Sequence, residues 1–303
     1  MPELPDVEVY CAALRRCVQG HMLRRAEVVS PFLLRSFDPP LKRVEGRRVV
    51  GVRRLGKRIA LGLEEDLHLV FHLMIAGRFR WQAAGERARR LPRKIALATF
   101  AFDSGTLALT EPAKKKRAAL HVVAGEAGLA AMRPRGLEPL EADAAAFAAA
   151  VTRERHTLKR TLTDPRLISG IGNAFSDEIL HAARLSPLAL TTRLTPEEMA
   201  RLYEATRGVL MGWTRRLLAD FAERFPGPGD ITAFRPDFAA HGKFGRPCPA
   251  CGVKIQRIRY AENETNYCPR CQTGDRVLAD RSLSRLLKED WPRTVEELEG
   301  GGR

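Results

Sequence analysis

Four cysteines near the C-terminus, Cys248 and Cys251 followed by Cys268 and Cys271, constrain this chain more than any other feature. Two C-x2-C pairs enclosing 16 residues fold as two knuckles closing on one tetrahedral ion, and four thiolates suit zinc best. Because sulfur fills every position, none is left for a reactive water. The expectation is therefore one structural Zn2+ that stabilises a small β-hairpin rather than performing hydrolysis. Lys254, Arg257 and Arg259 lie between the knuckles and give that hairpin positive charge. Cys11 and Cys17, six apart and on different helical faces, read as ordinary core or surface thiols.

The positive hairpin belongs to a basic chain. Lys and Arg number 51 against 36 Asp and Glu, a net charge of +15, which favours a polyanionic partner, nucleic acid first, when focused on one face. No apolar run approaches the roughly 20 residues that span a bilayer, and the first ten residues carry three carboxylates instead of a basic stretch before an apolar one. A cytosolic protein without a signal peptide or membrane partner is expected.

Periodicity divides the chain. Val7, Tyr10, Cys11, Leu14 and Val18 recur at helical spacing and Gly20 closes the segment. Short β-like runs follow at Ala26–Val29, Val49–Arg53, Ile59–Leu63, Leu67–Leu73, Ile95–Phe102 and Thr106–Thr110, separated by Gly, Pro and charged turns, which predicts a sandwich or barrel of antiparallel strands. Composition turns Ala-rich and acidic after Gly125, and helical patterns follow at Glu141–Val151, His156–Leu162, Asn173–Ala183 and Pro196–Leu218. Pro226–Asp230 is a Pro/Gly hinge into the cysteine module, and Ala279–Leu287 offers a last short helix. The fold class is thus α+β and multidomain. The expected segments are a catalytic β-sandwich at 1–130, a helical domain at 131–235, the four-cysteine finger at 236–275 and an extension at 276–303.

The opening Met1-Pro2-Glu3-Leu4-Pro5-Asp6 permits removal of Met1, which leaves the secondary amine of Pro2 at the terminus. Attack of that amine on C1′ of a damaged nucleotide gives an iminium ion, an electron sink for elimination of the 3′ phosphate. Glu3 and Asp6 are close enough in sequence to act as acid and base partners. Further on, Gly170-Ile171-Gly172-Asn173 allows close backbone approach and leads into a helix N-terminus, a phosphate site in its own right.

The tip, the segment Gly56-Lys57-Arg58, the run from Asp164 to Glu178 and the four cysteines together resemble the formamidopyrimidine-DNA glycosylase/endonuclease VIII family, from Met1 to about Gln272. The resemblance implies a β-sandwich with flanking helices, a helix-two-turn-helix domain and a zinc-finger β-hairpin, acting on damaged double-stranded DNA in base-excision repair as a glycosylase with AP lyase activity. It implies a monomer in the bacterial cytoplasm, associated with the nucleoid. It makes Pro2 the nucleophile, Glu3 its proton shuttle and Lys57 a phosphate contact near the lesion. Asp6, His72, Lys159, Gly172, Asn173, Arg257, Arg259 and Asn263 fall at positions expected to serve DNA binding.

Three departures bear on lesion choice. Where the family inserts a methionine into the duplex stands Ile75, with Met74 beside it. The loop that usually supplies an arginine and a phenylalanine reads Glu111-Pro112-Ala113-Lys114-Lys115-Lys116-Arg117, without an aromatic wedge. Asn263 stands where the finger usually has an arginine. Two other readings stay open on sequence: a DNA-damage-binding protein of the same fold with AP lyase but little base excision, and a zinc-ribbon interaction protein. Which base is removed, and whether elimination runs one step or two, the residues leave undecided.

Overall fold

A computed structural model describes residues 1–86, 91–260, 263–280 and 292–300. It contains two compact units, Met1–Pro134 with Trp213–Ala233, and Arg135–Gly212 with Phe234–Arg303.

The first unit opens with α1, Leu4–Val18, which starts at Glu3 because the chain there closes a reciprocal capping box. The Glu3 side chain accepts from the backbone of Asp6, and the Asp6 carboxylate accepts from the Glu3 N–H at 2.9 Å. Eight antiparallel strands follow: β1 Met22–Val28, β2 Arg47–Leu55, β3 Arg58–Leu63, β4 Leu67–His72, β5 Arg78–Ala83, β6 Ala96–Phe102, β7 Gly105–Thr110 and β8 Ala119–Ala124. Their order is β5-β7-β6-β1-β2-β3-β4-β8. Between β1 and β2 only Met22↔Arg48 and Leu23↔Arg47 are in register, so the sheet breaks there into two four-stranded halves. Phe71 on β4 meets Phe79 on β5 and Phe100 on β6 edge-to-face, with centroids 5.2 Å apart in both pairs. The halves therefore face each other across one core that also holds Tyr10, Leu14, Leu109 and Leu120, the expected sandwich. β5 and β8 go beyond the expected strands, as does the short helix α2, Gly125–Ala131.

The second unit carries α3 Ala144–Thr152, α4 Leu158–Thr163, α5 Asn173–Ala183 and α6 Pro196–Asp220, the last passing into the first unit after Gly212. Asp143 and Thr157 cap α3 and α4 with side-chain oxygens. A two-stranded hairpin follows, β9 Gln256–Tyr260 and β10 Asn263–Tyr267, then α7 Pro269–Thr273 and α8 Val295–Gly300. The helix expected at Ala279–Leu287 falls almost entirely outside the described residues.

Candidate active site and nucleic-acid interface

In the sheet unit, strand register gathers several loops on one rim, where Arg78 and Lys57 also come within electrostatic reach of the N-terminus. Leu55 pairs with Arg58, Arg58 with His72, His72 with Ala119, and Arg78 with Thr110. The β2–β3 turn, the β4–β5 turn and the β7–β8 loop therefore leave the sheet at the same end. Gly56 and Lys57 form a two-residue hairpin turn, for which Gly56 takes a φ of +60°. The turn projects Lys57 from the rim, and burial pulls its ammonium below the ordinary lysine value while Glu3 opposes.

Pro2 and Glu3 are buried at the start of α1. Burial likewise lowers the amine of Met1, one residue outward, with Arg78 and Lys57 acting in the same direction and the carboxylates of Glu3 and Asp6 opposing. A terminal amine here thus sits among two carboxylates and two cations. Arg78 was not foreseen; it heads β5 and is fixed by its Nε donating to the Ile231 carbonyl at 2.8 Å. Asp6 differs from the expected DNA-contacting side chain. It is 3% exposed and its carboxylate holds the Glu3 backbone, which gives it a positioning place. His72 is pulled down to about 4, first by burial and then by Arg58, Lys57 and His121, so it is neutral at pH 7.

The two rewritten loops also lie on this rim. Ile75 is 53% exposed in the β4–β5 turn, next to Met74, whose φ of +52° is left-handed. Glu111 is buried at the base of the β7–β8 loop, and its Oε2 accepts from the backbone N–H groups of Arg117 and Ala118 at 2.9 and 3.2 Å. Lys116 folds back onto the Glu111 carbonyl, whereas Lys114, Lys115 and Arg117 are exposed.

In the second unit, Gly172 caps α5 in extended backbone and Gly170 takes a φ of +81°, so the Gly170–Asn173 segment turns sharply into the helix as expected. Asn173 already uses its side-chain amide, donating to the Glu264 carbonyl of β10 at 2.8 Å. Lys159, at a position expected to serve DNA binding, is turned inward. Its side chain is 12% exposed and its ammonium donates to Asp177 at 2.5 Å and to the Asn173 carbonyl at 2.7 Å. Asp177, fully buried, also binds His241 at 2.7 Å and the Asn266 backbone N–H at 3.1 Å. Glu178 beside it accepts from the N–H groups of Ala239, Ala240 and His241. Lys159, Asp177 and Glu178 stand near one another in sequence, but their partners His241 and Asn266 come from far along the chain, so the cluster itself has no local mark. On the hairpin, Arg257 stacks over Phe244 at 4.0 Å and shares Glu264 with Arg259, whose side chain is 59% exposed. Asn263 begins β10 opposite Tyr260.

The four cysteines converge, with their sulfurs all within 4.8 Å of one another. Cys248 and Cys271 are 3.9 Å apart and Cys251 and Cys268 3.4 Å. Zn–S bonds of about 2.3 Å place tetrahedral sulfurs about 3.8 Å apart, so the cluster fits one zinc ion, while a disulfide of about 2 Å does not describe these pairs. Among the described helices none is long and apolar enough to cross a membrane.

The class these parts define is that of helix-two-turn-helix zinc-finger proteins led by a β-sandwich. Residues 1–118 match the formamidopyrimidine-DNA glycosylase N-terminal domain, 136–213 the formamidopyrimidine-DNA glycosylase H2TH domain, and 245–274 the zinc finger found in FPG and IleRS. Formamidopyrimidine-DNA glycosylase of Pelotomaculum thermopropionicum is 32% identical over 279 residues, 90% of this chain and 99% of its own. The enzyme of that name from Thermus thermophilus is 35% identical over 280 residues, 90% and 98% of the two chains. The crystal structure of the MutM (Fpg) protein from Thermus thermophilus superposes with a TM-score of 0.75 at 34% identity, covering 89% of this chain and 98% of that one. The chain belongs to the formamidopyrimidine-DNA glycosylase family.

Proposed function

We propose that this chain is a DNA glycosylase with AP lyase activity that works through the Pro2 amine once Met1 is removed. The observation that carries the reading is the buried N-terminus set among Glu3, Asp6, Lys57 and Arg78. With Met1 in place, burial and two cations lower the terminal ammonium against the two carboxylates, and only the free amine is a nucleophile. Its nitrogen bonds to C1′ as the damaged base departs with the electron pair of the glycosidic bond, and the proton that the nitrogen then sheds passes to the departing base, which restores the nitrogen lone pair. Glu3 protonates the ring oxygen, the C1′–O4′ bond breaks, and the nitrogen lone pair forms an iminium that needs no proton to keep its charge. Loss of a C2′ proton sends electrons toward that iminium, and the C3′–O bond breaks with phosphate as leaving group.

Lys57 serves as a fixed point charge for a phosphate beside the reacting sugar. Neutral His72, the N–H groups at Gly172 and Asn173, and Arg257, Arg259 and Asn263 on the hairpin supply further contacts to the damaged duplex. Asp6 and Lys159 act by positioning Glu3 and the Gly170–Asn173 turn. The four-segment division at 1–130, 131–235, 236–275 and 276–303 gives the functional parts, and the protein works as a monomer in the bacterial cytoplasm on nucleoid DNA. The exposed lysine loop, lacking an aromatic wedge, supports a lesion range that does not depend on stacking at that position.

Duplexes carrying oxidised purines, oxidised pyrimidines, alkylated bases or an abasic site test the reading. Release of at least one base with strand cleavage is expected, both lost in Pro2→Gly. Cleavage that persists unchanged in Pro2→Gly overturns it.

A further inference from the structure

His181 lies on the same helix as Asn173 and Asp177, 9% exposed, with its imidazole Nε2 3.2 Å from the Sγ of Cys248. A zinc thiolate has no proton, so its sulfur can only accept. The contact therefore requires the tautomer with Nε2–H, donating to the ligand sulfur. A neighbouring link joins the same parts: Gln272 accepts from the Cys268 N–H at 2.8 Å and donates to the Leu185 carbonyl just past α5 at 2.9 Å. The metal module is thus fastened at two of its four ligands to α5 and the residues just after it.

We propose that His181 is a positioning residue of the zinc site, whose Nε2–H hydrogen bond to Cys248 orients that thiolate and lowers its reactivity. Two consequences follow from elementary chemistry. A hydrogen bond draws electron density from a sulfur lone pair, so the thiolate is less nucleophilic toward electrophiles. It also fixes the sulfur's direction, so the ion is held more tightly; outer-shell partners of metal ligands typically change affinity by about 10–100-fold. The role differs from that of the backbone N–H of Cys271, which approaches Cys268 at 3.4 Å within its own knuckle. His181 comes from another element and ties the first knuckle, 67 positions away, to the helix that begins at the Gly170–Asn173 turn.

The test uses full-length protein with cobalt(II) in place of zinc. His181→Phe fills the same space without a donor, and His181→Gln restores an N–H. Loss of the hydrogen bond raises the sulfur lone pair, so the thiolate-to-cobalt absorption should move to longer wavelength in His181→Phe and return in His181→Gln. Zinc transfer to a competing chelator should become about tenfold more favourable in His181→Phe, and N-ethylmaleimide should release zinc faster. Unchanged absorption and affinity in His181→Phe would overturn the proposal. Should that variant fail to fold, wild-type protein loaded with cadmium-113 decides. The imidazole N–H proton should show scalar coupling to the metal through the sulfur, and its absence would count against the bond.

Discussion

At the N-terminus, Glu3 and Asp6 hold the backbone through the capping box and also draw the terminal amine toward its charged form, against burial and the cations Arg78 and Lys57. Glu3 and Asp6 fix each other, so the residue after the amine cannot drift from the start of α1. This much was legible from Pro2, Glu3 and Asp6, which lie within a few positions of one another. Arg78 was not, because only the pairing of β5 with β7 and the turn from β4 bring it to the rim. Lys159 reads as a surface base in sequence, yet Asp177 absorbs its charge, a contact that only the packing of α4 on α5 creates. The environment of His72 has a measurable consequence. Its folded value of about 4 lies below the 6.5 of an unrestrained histidine, so between these values the unfolded chain binds more protons. Its contribution to stability is complete above about pH 6.5 and is lost as pH falls toward 4. Denaturant titrations across that interval should show stability declining on acidification, with a shallower decline in His72→Gln.

Among the elements, the β7–β8 loop departs most from the family pattern, and the structure gives it a definite build. Glu111 pins both ends by accepting from Arg117 and Ala118, and Lys116 turns inward, which leaves Lys114 and Lys115 as exposed charges on the amine's rim. Charge without an aromatic ring suits phosphate rather than a gap in the base stack. Each lost phosphate contact lowers the slope of log affinity against log salt by about 0.9. Binding of abasic duplex by Lys114→Ala/Lys115→Ala should therefore show a slope shallower by about 2, uniformly across flanking sequences. Arg48→Ala, at the opposite end of the sheet, should leave it unchanged. The lysine run was plain in sequence; Glu111 as its anchor was not, since a Glu-Pro step gives no sign of where its carboxylate points. β5 and β8, the outermost strands of the sheet, lie outside the expected runs, although Phe79 and Trp81 alternate with Arg78, Arg80 and Gln82 in β5.

For the whole molecule, the order of parts was readable because each has a local mark: alternation in the sandwich, Gly-x-Gly-Asn at α5 and cysteine spacing in the hairpin. What joins the helices to the hairpin was not, because Asp177, His241 and Asn266 are brought together from three separate segments. That joint makes the zinc ion a support for the second unit. The sheet unit has its own core, separate from the cluster that holds the cysteines. Chelation should accordingly strip hydrogen-exchange protection from residues 245–274 while strands β2–β8 keep theirs; simultaneous loss in both would show a single cooperative unit. Two amines on the rim could form the iminium or imine, Pro2 and Lys57, since burial lowers the Lys57 ammonium too. Borohydride trapping on abasic duplex followed by peptide mass spectrometry identifies the modified residue. The reduced sugar adduct is expected on Pro2 at the processed N-terminus; an adduct on Lys57, or none at all, would overturn the assignment of Pro2 as nucleophile.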